Sequence, residues 1–253
     1  MTKINKVAWI TGGGTGIGKE LAKILSSKNY TVIISGRRLK KLSETSKYNP
    51  KKIIPIKLDV SDANNCDNVA KKIYKHFGFI DLIILNAAIY SPGAIEIINS
   101  HETKKVVDVN LLGQLNCLSF ALEKMKDSCK GHIVFISSPA GYRGLPGAGI
   151  YGVTKSAVTF LAETTKIEFS KFNIKVQVVH PGFVKTPMTD KNKFQMPFLM
   201  SPKEAANRIY KKLKSNVFDI FFPKRLIYPM KLISMLPDKI YFFLMKKFVK
   251  LPK

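Results

Sequence analysis

The stretch Thr11-Gly12-Gly13-Gly14-Thr15-Gly16-Ile17-Gly18 decides the fold class of this chain. It follows an apolar run at residues 7–11 and opens a helical segment at 16–27, so it joins a predicted strand to a predicted helix. Glycines let the backbone turn sharply and approach a ligand closely. The N-terminus of a helix adds unpaired N–H groups and the positive end of a dipole, which together favour phosphate groups. The stretch therefore predicts a phosphate-binding loop.

Outward from this loop, apolar strand-like runs alternate with helix-length segments. The predicted strands lie at residues 7–11, 31–35, 53–57, 82–85, 132–137, 175–179 and 218–222. The clearest predicted helices lie at residues 16–27, 63–77, 102–126 and 150–172. This alternation favours a parallel sheet with right-handed crossovers and helices on both faces. We predict a single-domain α/β protein, a doubly wound Rossmann fold with a parallel sheet of about seven strands.

Charge and cysteine content narrow the possible partners and location. The net charge of +25 favours anionic partners, yet the lysines are scattered along the chain and biased lysine usage alone would give the same total. No recognition motif accompanies the charge, so we expect no nucleic acid partner. The three cysteines, Cys66, Cys117 and Cys129, predict buried, reduced thiols rather than a disulfide framework. With no secretory signal and no apolar stretch of roughly 20 residues, we predict a cytoplasmic protein.

A tyrosine and a lysine indicate the chemistry. Tyr151 and Lys155 stand four residues apart in a predicted helix, so their side chains share one face. Reduction of a carbonyl needs a proton donor beside its oxygen, and a nearby ammonium lowers the pKa of a phenol toward that task. Ser138 follows a predicted strand at its carboxyl end, where its hydroxyl can stabilise a developing alkoxide. Ser137 is the adjacent alternative, and a packed tyrosine with a solvated lysine is the alternative for the pair.

These motifs, in this order, resemble those of the short-chain dehydrogenase/reductase family over residues 5–190. The glycine spacing G-x-x-x-G-x-G, at Gly12, Gly16 and Gly18, is that of the family's NAD- or NADP-binding loop. The resemblance implies catalytic roles for four residues, Asn110, Ser138, Tyr151 and Lys155. It implies that Lys155 tunes Tyr151 and holds the cofactor ribose, and that Asn110 binds a water in a proton relay.

The resemblance also implies a wall for the cofactor. Asp59-Val60 is similar to the family's adenine contact, and Asn86-Ala87-Ala88 is similar to its Asn-Asn-Ala-Gly motif. In the latter, Leu85 replaces the first Asn and Ala88 replaces the Gly, which predicts the loss of one hydrogen bond between strands. Pro181-Gly182 resembles the family's Pro-Gly motif, in which Val184 and Thr186 would hold the nicotinamide carboxamide.

The end of the second predicted strand bears on the choice between NAD and NADP. Enzymes that use NAD place an acidic residue near this point to bind the ribose 2′-hydroxyl. Here Gly36 is followed by Arg37 and Arg38, and a guanidinium pair matches a 2′-phosphate. A solvated start of the next helix is the alternative. We favour NADP(H) as the cofactor.

The function predicted from these residues is an NADP(H)-dependent oxidoreductase acting on a carbonyl/alcohol pair. A non-catalytic cofactor-binding regulatory or scaffold protein is the alternative, but all four catalytic positions are intact. We expect no metal site, because the four histidines show no ligand spacing. The segment after the Pro-Gly motif is rich in methionine and aromatic residues, which suits a pliable apolar pocket for a keto lipid or steroid-like ketone.

The domain assignment separates a basic C-terminal segment from the rest. Residues 1–222 are predicted as the catalytic domain, with a substrate lid at 187–215, and 223–253 as an apolar, basic extension. Residues 201–253 hold 13 basic and 3 acidic side chains. A predicted helix at 239–250 sets lysines beside aromatic and aliphatic residues, a pattern typical of shallow docking at an anionic membrane. A partner contact or a cover over the cleft fits equally well, and we expect a homodimer or homotetramer.

Overall fold

The computed structural model describes residues 6–91, 99–192 and 194–249, which form one α/β domain. Its strands are β1 (Lys6–Thr11), β2 (Tyr30–Gly36), β3 (Ile53–Lys57), β4 (Leu82–Leu85), β5 (Gly131–Ile136), β6 (Ile174–Pro181) and β7 (Asp219–Phe222). Its helices are α1 (Gly16–Ser26), α2 (Leu39–Ser46), α3 (Ala63–Phe77), α4 (Ser100–Val107), α5 (Gly113–Asp127), α6 (Gly149–Glu168), α7 (Pro202–Leu213), α8 (Lys224–Ser234) and α9 (Asp238–Phe248). Each of the seven predicted strands is present, with ends displaced by a few residues.

The seven strands form one parallel sheet in the order β3-β2-β1-β4-β5-β6-β7. The order reverses between β1 and β4, because the chain builds outward first on one side and then on the other. In such sheets ligands bind at the carboxyl ends of the strands beside this switch point. The predicted doubly wound fold is confirmed, and its switch point lies where β1 ends in the glycine loop.

Alternate residues of the strands face two separate cores. Trp9, Ile33 and Phe135 belong to the core under α3, α5 and α6. Their neighbours Ile10 and Ile34 belong to the core under α1 and α7. Since successive side chains of a strand point to opposite faces, a run of apolar residues fills both layers at once. The continuous apolar strands seen in the sequence follow from this burial on both sides.

The predicted helix at 102–126 is interrupted. A π-helical turn at Asp108–Leu112 separates α4 from α5. Its central residue, Asn110, is fully buried and its side chain bonds to the backbone of Ile89. Inserted turns of this kind are frequent at functional sites. The apolar periodicity of residues 102–126 therefore gives no sign of the π-helical turn, which the Asn110 side chain bonds to the loop after β4.

One cysteine prediction is wrong. Cys66 and Cys117 are buried as expected, but Cys129 is exposed. It lies two residues beyond the end of α5 with a φ of +47°, in a surface turn that no other element covers within the described residues. Local sequence around a turn does not fix which side of the chain faces the core.

The C-terminal segment forms two helices that pack on the domain. Ile227 of α8 and Tyr241 of α9 are buried. Leu244 is half-buried, and Lys250 of the predicted amphipathic helix lies outside the described residues. No helix of the described residues has the length and apolarity needed to cross a membrane.

The predicted lid range, 187–215, divides into two parts. Its second part, α7, carries Ala205, Ala206 and Ile209 into the core beside α1. The substrate lid therefore stays a prediction, and it concerns the loop before α7.

Candidate active site

The glycine loop is shaped by contacts that exclude side chains. Gly12 has a φ of +70°, a conformation that strains any residue with a Cβ. A Cβ on Gly12 would lie 2.8 Å from Nδ2 of Asn86, and a Cβ on Gly18 would lie 2.5 Å from the carbonyl oxygen of Gly12. Thr15 occupies the N-cap position of α1, but its side chain forms no hydrogen bond with the first turn of the helix. The first N–H groups of α1 are thus left for an anion.

Asn86 fastens the end of β4 to this loop. Its Nδ2 donates to the carbonyl oxygens of Thr11 and Gly12 at 2.9 and 3.2 Å. The Thr11 hydroxyl in turn accepts the backbone N–H groups of Asn86 and Ala87, each at 3.0 Å. Thr11 is buried and bonded in this way, so its side chain supports the loop. Leu85, where the family has Asn, lies fully buried in the core.

The Pro-Gly segment begins at the last residue of β6 and runs toward the start of α1. The Gly182 N–H donates to Phe222 at 2.7 Å, and Val184 pairs with Met200 in an isolated bridge. Thr186 then reaches the start of α1, where its methyl group lies 3.1 Å from the position of a Cβ on Gly16. The structure therefore brings two distant motifs of the sequence together over the N-terminus of α1.

The two arginines lie at the far end of the glycine loop. Gly36 ends β2, and Arg37 and Arg38 follow as exposed side chains. Among the described residues neither guanidinium forms a hydrogen bond or an ion pair. α2 approaches the loop here, since a Cβ on Gly14 would lie 3.2 Å from Cβ of Lys41. The end of β2 thus offers two cations and, from Gly36 to Arg38, no carboxylate.

The predicted adenine contact, Asp59-Val60, is fixed by hydrogen bonds to Ser61 and to α5. Asp59 accepts the backbone N–H and hydroxyl of Ser61 at 3.1 and 2.7 Å. The Val60 carbonyl accepts Nδ2 of Asn116 at 2.9 Å, which ties this loop to α5. Val60 is buried, and its side chain packs on the α5 helix. Asp59 stays partly exposed just beyond the carboxyl end of β3, and its contact with adenine stays a prediction.

Lys155 is almost fully buried, with 2% of its surface exposed. Its Nζ donates to the carbonyl oxygen of Ile136 at 2.8 Å and lies 5.6 Å from the ring centre of Tyr151. Burial lowers the pKa of Lys155 to about 8. The side chain is therefore a cation near neutral pH and begins to lose its charge in mildly alkaline solution. A lysine that shares one helix face with a tyrosine was the prediction, and the structure places them so.

Tyr151 lies between Ser138 and Tyr90. Burial raises the pKa of Tyr151 to about 12, a hydrogen bond with the Ser138 side chain lowers it, and Tyr90 raises it. The Tyr90 ring meets the Tyr151 ring edge-on at 4.9 Å. The phenol is thus protonated near neutrality and lies next to the Ser138 hydroxyl. The prediction did not include Tyr90, because no motif marks it.

The structure distinguishes the two serines after β5. Ser137 is buried, and its hydroxyl donates to the Lys155 carbonyl oxygen at 2.8 Å. Ser138 is partly exposed and faces Tyr151, while its Oγ accepts the N–H of Ala140 at 3.2 Å. Ser138 is therefore the serine available to a ligand, and it is the one to which the family resemblance assigns the role.

Asn110 is hydrogen-bonded to α6, the helix that carries Tyr151. Its Oδ1 accepts the N–H of Ile89 at 2.7 Å, and its Nδ2 donates to the Ile89 carbonyl and to Oγ1 of Thr154. The side chain so joins the π-helical turn to the loop after β4 and to α6. Its participation in a proton relay stays a prediction.

A buried polar chain behind Lys155 was not predicted. The Thr159 hydroxyl lies 3.0 Å from the Lys155 carbonyl oxygen and 3.0 Å from Nε2 of His180. The Nδ1 of His180 donates to Asp219 at 2.7 Å, and Lys231 pairs with the same carboxylate. Although burial opposes it, hydrogen bonds from His180 and Lys231 lower the pKa of Asp219. This chain connects β6, β7 and α8 to the backbone that positions Lys155.

A glycine loop at a switch point and a tyrosine–lysine pair at the same carboxyl edge of the sheet are features typical of nucleotide-dependent oxidoreductases. A family model described as short chain dehydrogenase matches residues 6–196. The chain belongs to that family, and it is an oxidoreductase of the family.

Relatives and solved structures agree with this assignment. An uncharacterized oxidoreductase of Myxococcus xanthus is 28% identical over 239 residues, which cover 93% of this chain and 94% of that protein. The 3-oxoacyl-acyl-carrier-protein reductase FabG of Thermotoga maritima is 33% identical over 189 residues, covering 74% of this chain and 77% of the relative. The structure of ElxO with NADP bound is 30% identical, covers 86% of this chain and 97% of its own, and has a TM-score of 0.77.

Proposed function

We propose that this protein is an NADP(H)-dependent oxidoreductase that interconverts a carbonyl and an alcohol on an apolar substrate. The observation that carries the proposal is the cluster of Ser138, Tyr151 and buried Lys155 at the carboxyl end of the sheet. The cluster stands beside a glycine loop in which a Cβ at Gly12 or Gly18 would collide with its neighbours. A proton donor and a loop suited to a nucleotide therefore lie at the same carboxyl edge of the sheet.

The residues present fit a dinucleotide. The uncapped start of α1 suits the pyrophosphate, Asp59 suits the adenine, and the exposed Arg37 and Arg38 suit a 2′-phosphate. Asn86-Ala87-Ala88 and the segment from Pro181 to Thr186 would form the two walls of the nicotinamide site. When bound, NADPH supplies the hydride that the carbonyl carbon receives. The NADP-bound structure of ElxO, a relative of 30% identity, supports the choice of cofactor.

The side chains would divide the remaining work. The Tyr151 phenol donates its proton to the substrate oxygen, and the Ser138 hydroxyl donates a hydrogen bond to the same oxygen and opposes charge build-up there. With its pKa raised by burial, Tyr151 is protonated and ready for reduction. The Lys155 ammonium stabilises the phenolate that remains, because it is a cation held without water at 5.6 Å from the ring.

A phenylalanine at position 151 tests the assignment. Tyr151→Phe removes only the hydroxyl, so we expect loss of turnover with NADPH and a reducible carbonyl, while NADPH binding stays near that of the wild type. Tyr90→Phe is the matched control, since Tyr90 touches the same ring without a place in the proton path. Turnover that survives in Tyr151→Phe would refute the assignment.

The cofactor preference is tested separately. We expect a higher kcat/KM with NADPH than with NADH, because each guanidinium can pair with the 2′-phosphate. The double variant Arg37→Ala/Arg38→Ala should lose that preference while its activity with NADH changes little. A wild type that prefers NADH would contradict the proposal.

The apolar substrate is inferred from the segment before α7. Phe194, Phe198 and Leu199 are exposed there, and Phe194 meets Phe183 edge-on at 5.7 Å. Apolar side chains grouped in solvent suit contact with an apolar ligand. A series of ketones of rising chain length, assayed with NADPH, should show rising kcat/KM. Equal values along the series would contradict an apolar substrate.

We also propose that the protein is a cytoplasmic homodimer or homotetramer. Val153, Phe160 and Ile167 recur every seven residues on the outer face of α6, and all three are exposed. Such a stripe suits contact with a second copy. Light scattering coupled to gel filtration measures the mass, and a monomer at micromolar concentration would contradict this proposal. The non-catalytic alternative has no such support, because no catalytic position is replaced.

A further inference from the structure

The last described helix presents an apolar surface to solvent. The α9 helix divides into two sides, with Tyr241, Leu244 and Met245 turned inward. The outer side, called here the α9 face, consists of Lys239, Ile240, Phe242, Phe243, Lys246 and Lys247. Phe242 and Phe243 are 55% and 60% exposed, so more than half of each of these adjacent apolar side chains lies in solvent. Leu232 and Met235, just before α9, are exposed as well.

This outward orientation is fixed by contacts on the inner side. The Tyr241 hydroxyl donates to the carbonyl oxygen of Gly144 at 2.6 Å. The Arg143 guanidinium lies 3.9 Å from the Tyr241 ring centre and donates to the Ser234 and Leu236 carbonyl oxygens. It also pairs with Asp238. With α9 clamped in this way, the phenylalanines of its outer side cannot turn toward the core without breaking these contacts.

The charges of the α9 face are of one sign. Lys239, Lys246 and Lys247 flank the exposed phenylalanines, and Lys247 lies 5.6 Å from the ring centre of Phe243. The carboxylate nearest in sequence, Asp238, is taken up by Arg143. Long lysine stems can lie along an apolar surface while their ammonium groups reach the headgroups above it. The face is thus complementary to an apolar layer covered by anions.

We propose that the α9 face docks on an anionic lipid bilayer, with the helix lying in the plane of the interface. The phenylalanines would enter the boundary between headgroups and acyl chains, and the lysines would contact anionic headgroups. A second copy of the chain is a poorer occupant, because a two-fold contact through this face would bring its lysines together. The clamp through Arg143 and Gly144 also joins this face to the loop between Ser138 and Tyr151. The proposal does not rest on the oxidoreductase function.

Vesicle co-sedimentation of the full chain tests the proposal. Vesicles of phosphatidylcholine alone are compared with vesicles that also contain phosphatidylglycerol. We expect binding to the second kind only, weakened by salt. Lys239→Gln/Lys246→Gln should weaken the partition coefficient about fivefold for each charge. Phe242→Ser/Phe243→Ser should weaken it about thirtyfold, because about half of each ring would otherwise be buried.

Matched variants and a second readout separate the outcomes. Lys72→Gln/Lys75→Gln removes two exposed lysines of α3, and Tyr48→Ser removes an exposed aromatic residue elsewhere, so both should bind as the wild type does. Turnover of a water-soluble carbonyl should be unchanged in the α9 variants. Equal binding to both kinds of vesicle, or none to either, overturns the proposal. A smaller oligomer in Phe242→Ser/Phe243→Ser than in the wild type overturns it too, since the face would then contact a second copy. Binding of the wild type to an acidic protein in preference to vesicles has the same meaning for the proposal.

Discussion

The burial of Lys155 has a cost in stability that depends on pH. Its pKa falls from an ordinary 10.5 to about 8 on folding, because the ammonium is removed from water. Between these values the unfolded chain binds more protons at this site than the folded chain does. The free energy of unfolding therefore rises with pH across that window, and the cost is present in full below pH 8. Integration of the linkage relation gives a gain of about 2.5 kcal/mol between pH 7 and pH 10.

Urea unfolding of the wild type and of Lys155→Met isolates this effect. The chain has a single tryptophan, Trp9, which is fully buried and reports unfolding by fluorescence. All other titrating groups are common to both proteins, so their contributions cancel in the difference. From pH 7 to pH 10, the free energy of unfolding of the wild type should rise by about 2.5 kcal/mol relative to that of the variant. The exposed Lys72→Met should show no such change.

A difference between wild type and Lys155→Met that stays constant over this pH range would refute the reasoning. It would mean that the ammonium keeps its water or an unseen counter-charge in the folded protein. A change of the opposite sign would mean that the folded state raises the pKa of Lys155.

Three further predictions rest on close contacts. Gly18→Ala, whose Cβ would lie 2.5 Å from the Gly12 carbonyl oxygen, should weaken NADPH binding on the order of tenfold in a fluorescence titration; unchanged affinity would count against the loop as the cradle. His180→Phe strips Asp219 of a hydrogen bond and should lower Tm by about 5 °C in calorimetry, which an unaltered Tm would contradict. Arg143→Gln should speed tryptic cleavage in α8 and α9, whereas Arg208→Gln, which changes an exposed side chain of α7, should not; equal rates in the two variants would contradict the clamp.

The strands were predictable because burial on both faces of the sheet requires a continuous run of apolar residues in the sequence. A strand covered by helices on each side must be apolar throughout, and Val7 to Ile10 or Leu82 to Leu85 show this without ambiguity. The glycine loop was predictable for a related reason, since only glycine tolerates the approach of Asn86 to Gly12. The choice of Ser138 over Ser137 followed from the family resemblance, and the structure adds a physical reason, since the Ser137 hydroxyl is bonded to α6.

What escaped prediction depends on contacts between distant parts of the chain. Thr159, His180 and Asp219 are ordinary residues in their local context, and only the folding of β6 and β7 beside α6 makes them a chain. The same holds for Arg143 and Tyr241, which lie far apart in sequence. The break in the helix at Asn110 arises from its bonds to Ile89, and periodicity carries no trace of such a bond.

The clamp between Arg143 and α9 has a consequence for synthesis on the ribosome. The loop from β5 to α6 is translated long before Tyr241, and the Arg143 side chain has to wait for partners more than 90 residues downstream. A nascent chain that already carries Ser138, Tyr151 and Lys155 therefore lacks the contacts that secure the loop between them. The loop between Ser138 and Tyr151 is thus secured late, because a ribosome stalled before residue 241 has not yet supplied the Tyr241 hydroxyl that bonds to Gly144.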